Sequence, residues 1–190
     1  GYQYLILKAE DRTVKFAKRA MFLDWGGIAK GCAVDKAFDI LRAAGLRGGM
    51  VDIGGNLRCF GTPANEIDHW YIGLQDPENA GNIVLKLKMD ERAVATSGDY
   101  RRFVVVDGKK YSHIIDPATA DSAQTLSSVT IITSTAMAAD AFSTIVSVMG
   151  DKKGLGLIES VPDTEAILIP HSPELTFEKT TGAEQYIEGN

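Results

Sequence analysis

Helical spacing of apolar residues is confined to a few stretches of this chain, and the segments between them read as runs of short strands. That distribution limits the folds open to it. Ala33, Val34, Ala37, Ile40, Leu41 and Ala44 share a helical stripe, and Gly45 is a natural stop. A second helix is expected over 136–149, ended by Gly150, with a weaker one near 155–159. Strands are expected at 2–7 and 12–16 around the polar turn 10–12, and at 50–53, which runs straight into Gly54-Gly55-Asn56. Others fall at 70–74, 129–133 and 166–169, and at 83–88, where Ile83, Leu85 and Leu87 share one face. Residues 103–106 and 109–115 form a hairpin around Asp107-Gly108, a type I′ pair. Strands in neighbouring runs, with two main helices set among them, predict an α+β fold with antiparallel or mixed sheets, not a regular βαβ alternation.

The chain's 190 residues suit one domain, or most of a slightly larger one, and 45% hydrophobic against 24% charged residues is enough for a packed core. A formal net charge of −5 argues against non-specific nucleic-acid binding, which requires a broad basic face. No apolar run approaches the roughly 18 residues that cross a bilayer. Tyr2 to Lys8 read as a strand already in progress, so the natural N-terminus, with any export signal, is expected upstream. Cys32 and Cys59 are the only cysteines; no disulfide framework is expected, and Cys32, inside the first helix, reads as a small buried residue.

Chemistry concentrates in four places. In Asp24-Trp25-Gly26-Gly27-Ile28-Ala29-Lys30-Gly31, adjacent glycines lead directly into a helix start, so backbone N–H groups and the helix dipole can meet an anion. Lys30 stands in the first turn, where the dipole disfavours a cation unless an anionic ligand is present. A strand-to-helix turn with a solvated lysine has the same composition. Gly54-Gly55-Asn56 is a second glycine turn, which is also what a simple tight turn or bulge looks like. The polar segment from Ala95 to Arg102 has the groups to contact a ring and a pyrophosphate, and its two arginines read equally as an exposed strand start.

His113 lies in Tyr111-Ser112-His113-Ile114-Ile115-Asp116-Pro117, where the proline forces a turn that can bring Asp116 towards the imidazole. Histidine is the residue type suited to general-base work near neutral pH, and a partly buried structural histidine is the competing reading. On the second helix, Asp140, Ser143 and Thr144 stand at i, i+3 and i+4 and share one face, flanked by an apolar stripe of Met137, Ala141, Ile145 and Val148. Such an aspartate is costly to bury unless paired or bound to a cation, and oxygen-only donors suit a hard ion such as magnesium. An aspartate favoured by the dipole at a helix N-terminus is the other reading.

In this order, these segments resemble the ApbE family of FAD:protein FMN transferases. The block Asp24 to Asp35 is similar to the family's Asp-Leu-Gly-Gly-Ile-Ala-Lys-Gly-Tyr-Ala-Val-Asp. Val51 to Arg58, Val94 to Arg102, Tyr111 to Pro117 and Ala139 to Thr144 match further blocks. The resemblance runs from about Thr13 to Gly150 and implies that residues 1–190 are the C-terminal portion of a single domain of ApbE-like (T-fold-like) architecture. It implies magnesium-dependent transfer of FMN from FAD to a Thr or Ser hydroxyl of a target flavoprotein, with release of AMP.

Asp24, Lys30 and Ile114 would then line the FAD site, Gly27, Asp140, Ser143 and Thr144 would hold magnesium, and His113 would be the base. The family resemblance further implies the periplasm or the outer face of the cytoplasmic membrane as location, with membrane attachment only through an N-terminal lipid anchor. An FAD pyrophosphatase and a non-catalytic flavin-binding module are the alternatives. Trp25 and Cys32 replace the usual leucine and tyrosine as packing changes. Ala120 replaces the glycine of Asp-Pro-x-Thr-Gly-x-Pro and is expected to reshape the loop beside His113.

Overall fold

The computed structural model describes residues 1–64, 67–79, 81–98, 103–123 and 125–189. A hairpin of β1 (Leu5–Lys8) and β2 (Thr13–Phe16) leads to α1 (Ala29–Ala43), then to the hairpin β3 (Gly49–Ile53) and β4 (Asn56–Phe60). The hairpin β5 (Trp70–Gln75) and β6 (Ile83–Met89) is followed by β7 (Ala93–Gly98), by β8 (Phe103–Val106) with β9 (Lys109–Ser112), and by the short pair β10 (Ile115–Asp116) and β11 (Asp121–Ser122). The chain then continues through β12 (Leu126–Thr133), α2 (Ala136–Met149), α3 (Asp151–Glu159), β13 (Glu165–Pro170) and β14 (Glu178–Lys179). Six strands form the main sheet in the order β14-β13-β12-β7-β4-β3, every neighbouring pair antiparallel. The α+β architecture is as expected.

Side-chain alternation along the sheet sets the two layers. From β7, β12 and β13, the residues Ala95, Val129, Ile131, Ala166 and Leu168 point towards α2 and α3 and pack with Ala139, Val146 and Ile158. Their alternates Val94, Ile132 and Ile167, with Leu57 and Cys59 of β4, face the other way and pack against Ile72, Leu74, Leu87 and Met89 of the β5–β6 hairpin. Asn56, Arg58 and Phe60 therefore project on the helix side, under α1.

Two strands escape the alternation rule. β4 follows a turn whose Gly54 and Gly55 have φ of 64° and 85°, which is hairpin geometry, so these glycines join two strands. β7 is central, and its sequence Ala-Val-Ala-Thr-Ser-Gly gives no period-2 signal because both faces are covered. The Asp107-Gly108 turn behaves as expected, with φ of 50° and 77°. Its second strand is shorter than anticipated. The Ser112 N–H donates to Ser122 Oγ at 2.8 Å and the Ile114 N–H to Ser112 Oγ at 3.2 Å, which ends β9 and leaves His113 in the break before β10.

The boundaries of α1 and α2 match closely and α3 begins earlier than expected, at Asp151, but the buried faces differ from those expected. On α1 the buried residues are Gly31, Val34 and Phe38, while Ile40 is 69% exposed and Cys32 is exposed. Phe38 turns inward because it meets the Phe60 ring edge-on at 5.1 Å and carries the Arg58 guanidinium on its face at 3.9 Å. Cys59 is the buried cysteine, and burial pushes its thiol up. On α2, Ala136, Ala139, Asp140, Ser143, Val146 and Ser147 are buried, whereas Met137 and Ile145 of the expected apolar stripe are exposed. Small side chains let the α2 backbone approach β7 and β12, and the buried hydroxyls find partners there and on the helix itself.

Neither helix has a complete N-terminal cap of its own. Ile28 supplies no side-chain bond to α1. The Gly31 N–H instead donates to Asp140 Oδ2 of α2 at 2.9 Å. On α2, the Thr135 hydroxyl accepts the Ala138 N–H. The Ala136 and Met137 N–H groups donate to Asp35 Oδ1 and Oδ2 of α1 at 3.0 and 2.9 Å. Each helix thus caps the other, and Arg58 holds Asp35 Oδ1 at 2.8 Å. The crossing is tight enough that a Cβ on Gly31 would lie 2.7 Å from Met137 Cα. Asp35→Ala removes the shared cap and strands a largely buried Arg58. We expect it to destabilise the fold by about 2–4 kcal/mol, read as a lowered thermal midpoint.

Candidate active site

The helix crossing opens onto a cavity of about 760 Å³. One wall is the turn before α1 with its first helical residues: Asp24, Gly26, Gly27 and Lys30. Opposite it stand Asp140, Thr144 and Val148 of α2. Thr96, Ser97 and Gly98 of β7, Gly54 of the β3–β4 turn, and the stretch His113, Ile114 and Ile115 complete the lining. Asp24, Gly27, Lys30, His113, Ile114, Asp140 and Thr144, singled out from widely separated parts of the sequence, are brought to one place. Ser143 is not among the lining residues. It is fully buried, exchanges a hydrogen bond with Ser97 Oγ at 2.8 Å and donates to the Asp140 carbonyl at 2.9 Å.

The turn before α1 is built by its own polar groups. Asp24 Oδ1 accepts the Gly26 N–H at 2.7 Å, and the Trp25 carbonyl accepts the N–H groups of Ile28 and Ala29 at 3.0 and 2.9 Å. Gly27 then passes so close to α2 that a Cβ there would sit 3.2 Å from both Thr144 Oγ1 and Cγ2. A side chain at this position would have to push Thr144 back by a few tenths of an ångström.

Asp140 is 2% exposed and lies in the second turn of α2, too far along for the helix N-terminus to account for it. Its carboxylate is met by the Gly31 N–H and, at 3.5 Å from Oδ1, by the Lys30 ammonium. Lys30 also donates to Asn56 Oδ1 at 3.0 Å. A buried carboxylate holding one N–H and one loosely placed cation retains capacity for another cation.

That capacity fits magnesium. Among the described residues no cluster of three or more His, Cys, Asp or Glu could cage a metal. Magnesium is characteristically held by one or two carboxylates, completed by water and substrate phosphate. Asp140, Thr144, whose hydroxyl donates to the Asp140 carbonyl at 3.3 Å and keeps its acceptor pairs, and Gly27 line the same cavity and carry the oxygens such a shell would draw on.

On the opposite side, His113 is exposed at the strand break and Ile114 is buried, its carbonyl taken by the Ala123 N–H at 2.8 Å. Asp116 is engaged in its own turn, where Oδ1 accepts the Ala118 N–H at 2.8 Å. In the loop after Asp116, Ala120 adopts φ of 59°, the conformation a glycine takes freely, and its N–H closes on the Asp116 carbonyl at 2.8 Å. Of the polar segment after Ala95, Thr96 to Gly98 line the cavity, while Asp99 to Arg102 lie outside the described residues. Asn56 was legible only as part of a glycine turn. Its link to Lys30 needs the tertiary structure.

The chain has relatives among known proteins. The chain matches the ApbE family model over residues 1–168. It is 36% identical over 166 residues to the FAD:protein FMN transferase of Treponema pallidum, covering 83% of this chain and 46% of that protein. It is 35% identical over 162 residues to the enzyme of the same name from Vibrio cholerae, covering 84% and 48%. Among solved structures, the ApbE protein of Thermotoga maritima superposes with a TM-score of 0.88 at 32% identity, covering 100% of this chain and 60% of that one. The flavin transferase ApbE of Vibrio cholerae gives 0.85 at 28%, covering 98% and 59%. The chain therefore spans about half the length of the curated relatives it matches.

Ala120 occupies a left-handed conformation that disfavours any side chain by about 1–2 kcal/mol. Ala120→Gly is expected to stabilise the fold by about 1 kcal/mol, after the added freedom of glycine in the unfolded chain is subtracted. Chemical denaturation that shows the variant equal to or weaker than the parent would contradict this account of the loop.

Proposed function

The chain belongs to the ApbE family, and on that premise we propose that it moves FMN from FAD to a Thr or Ser hydroxyl of a target flavoprotein, releasing AMP, with magnesium as the metal. The observation that carries this reading is the convergence of the Asp24–Lys30 turn, Asp140 with Thr144, and His113 on one cavity. The first two groups suit an anionic donor, and the third suits a hydroxyl acceptor.

In this mechanism the glycine turn and Lys30 take the pyrophosphate of FAD, Lys30 as a charge and the backbone by close approach. Asp24 and Ile114 border the same volume. Asp140, Thr144 and the Gly27 carbonyl would hold magnesium, with Ser143 behind them fixing the helix against Ser97. The metal, when bound, would neutralise charge gathering on the phosphate oxygens as the bridging bond breaks. His113 accepts the proton of the acceptor hydroxyl. That oxygen bonds to the phosphorus of the FMN half, the bond from this phosphorus to the bridging oxygen breaks, and AMP departs with that oxygen. The periplasm or the outer face of the cytoplasmic membrane is the setting this family membership suggests. A lipid anchor upstream of the chain is the only membrane attachment proposed.

Hydrolysis of FAD to FMN and AMP draws on the same donor-side groups, and one experiment separates the two. The full-length protein is incubated with FAD, magnesium and an FMN-accepting domain, with mass spectrometry of the acceptor and chromatography of the nucleotides. Transfer predicts an acceptor heavier by one FMN and AMP release that depends on the acceptor. His113→Ala is expected to slow the transfer about 100-fold or more while FAD remains bound. AMP release without acceptor, or FAD binding with no turnover, would contradict transfer.

A further inference from the structure

We propose that Asn56 is a positioning residue that parks the Lys30 ammonium, and that Lys30 is the resident counter-cation of Asp140, displaced from it when the metal binds. This rests on the reading of Asp140 as a metal ligand. Lys30 Nζ lies between two oxygens, 3.0 Å from Asn56 Oδ1 and 3.5 Å from Asp140 Oδ1. The Asp140 side chain is 3% exposed and that of Lys30 43%. A carboxylate this deep needs a cation in the absence of metal, and the lysine stem, entering from solvent, can supply one reversibly.

Asn56 is the less obvious partner. It is 1% exposed and occupies a β4 position on the helix side, paired with Ala95 of β7, where an apolar residue would pack. Its Nδ2 has no hydrogen-bond partner among the described residues. A buried amide with half its groups unused is destabilising in itself, so its contribution lies in the other half, the oxygen that grips Lys30. The two acceptors divide the lysine between them. With metal on Asp140, the ammonium stays on Asn56 and still faces the cavity, where the phosphates of the donor would meet it.

The arrangement predicts a specific coupling. Mn²⁺ binding to the full-length protein, without FAD, is measured by electron paramagnetic resonance and by calorimetry. Lys30→Met removes the competing cation and is expected to tighten Mn²⁺ about tenfold, because the metal-competent fraction then approaches one. Asn56→Leu leaves Lys30 only Asp140 and is expected to weaken Mn²⁺ by about threefold or more. Asn56→Ser, which shortens the acceptor and keeps the site polar, moves the same way and serves if the leucine variant does not fold. In the Lys30→Met background the Asn56 substitutions have no further effect.

Unchanged affinity in Lys30→Met, or an Asn56 effect that persists without Lys30, overturns the inference and leaves the metal site standing, provided Asp140→Asn abolishes binding. If the parent protein does not bind Mn²⁺, or Asp140→Asn binds it as well as the parent does, the metal reading fails and this inference fails with it.

Discussion

The structure depends on a reciprocal bond between two helix ends. α1 and α2 each begin without a full cap, and each is completed by an aspartate of the other: Asp140 takes the Gly31 N–H, and Asp35 takes those of Ala136 and Met137. Orphan N–H groups at a helix start carry partial positive charge, so a carboxylate satisfies both hydrogen bonding and the dipole. The exchange fixes the crossing of the helices at backbone contact, which only Gly31 permits. It also fixes where Asp140 sits.

The site's electrostatics follow from that placement. A carboxylate 2% exposed, held from behind by a helix N–H, is oriented with one oxygen towards Lys30. Gly27 reaches Thr144 because α1 starts against α2, and Lys30 reaches Asn56 because β4 projects that side chain on the helix side. The hydroxyls of Ser97 and Ser143 join β7 to α2 at the same level. Cavity, cation and carboxylate are thus consequences of one packing arrangement, with His113 added from a strand break across the opening.

Much of this was legible in the sequence, for identifiable reasons. Gly45 and Gly150 end the helices where their positive φ is needed, and Asp107-Gly108 marks its turn. The glycine pair and the i, i+4 spacing of Asp140 and Thr144 pointed to the cavity because local geometry alone puts those groups on one side. Less visible were features set by tertiary contact. β7 lacks alternation because both its faces are covered, and β4 began at an asparagine that reads as turn. The buried stripe on α2 differs from the apolar one because the helix buries alanine and serine and leaves Met137 and Ile145 outside. Cys32 was misplaced in the same way, one residue beyond the face that Gly31 presents. Asp35, which bridges the helices, carries no local signal at all.

The proposed metal position lies among Asp140, Thr144 and Gly27, beside the donor. Anomalous diffraction at the manganese edge, from crystals of the full-length protein grown with FAD and Mn²⁺, tests it most directly. The expected result is a peak in the cavity bounded by the Asp140 carboxylate, Thr144 Oγ1 and the Gly27 carbonyl, with the FAD pyrophosphate against it. A peak elsewhere, or ordered FAD in the cavity with Lys30 still on Asp140 and no metal between them, would contradict it.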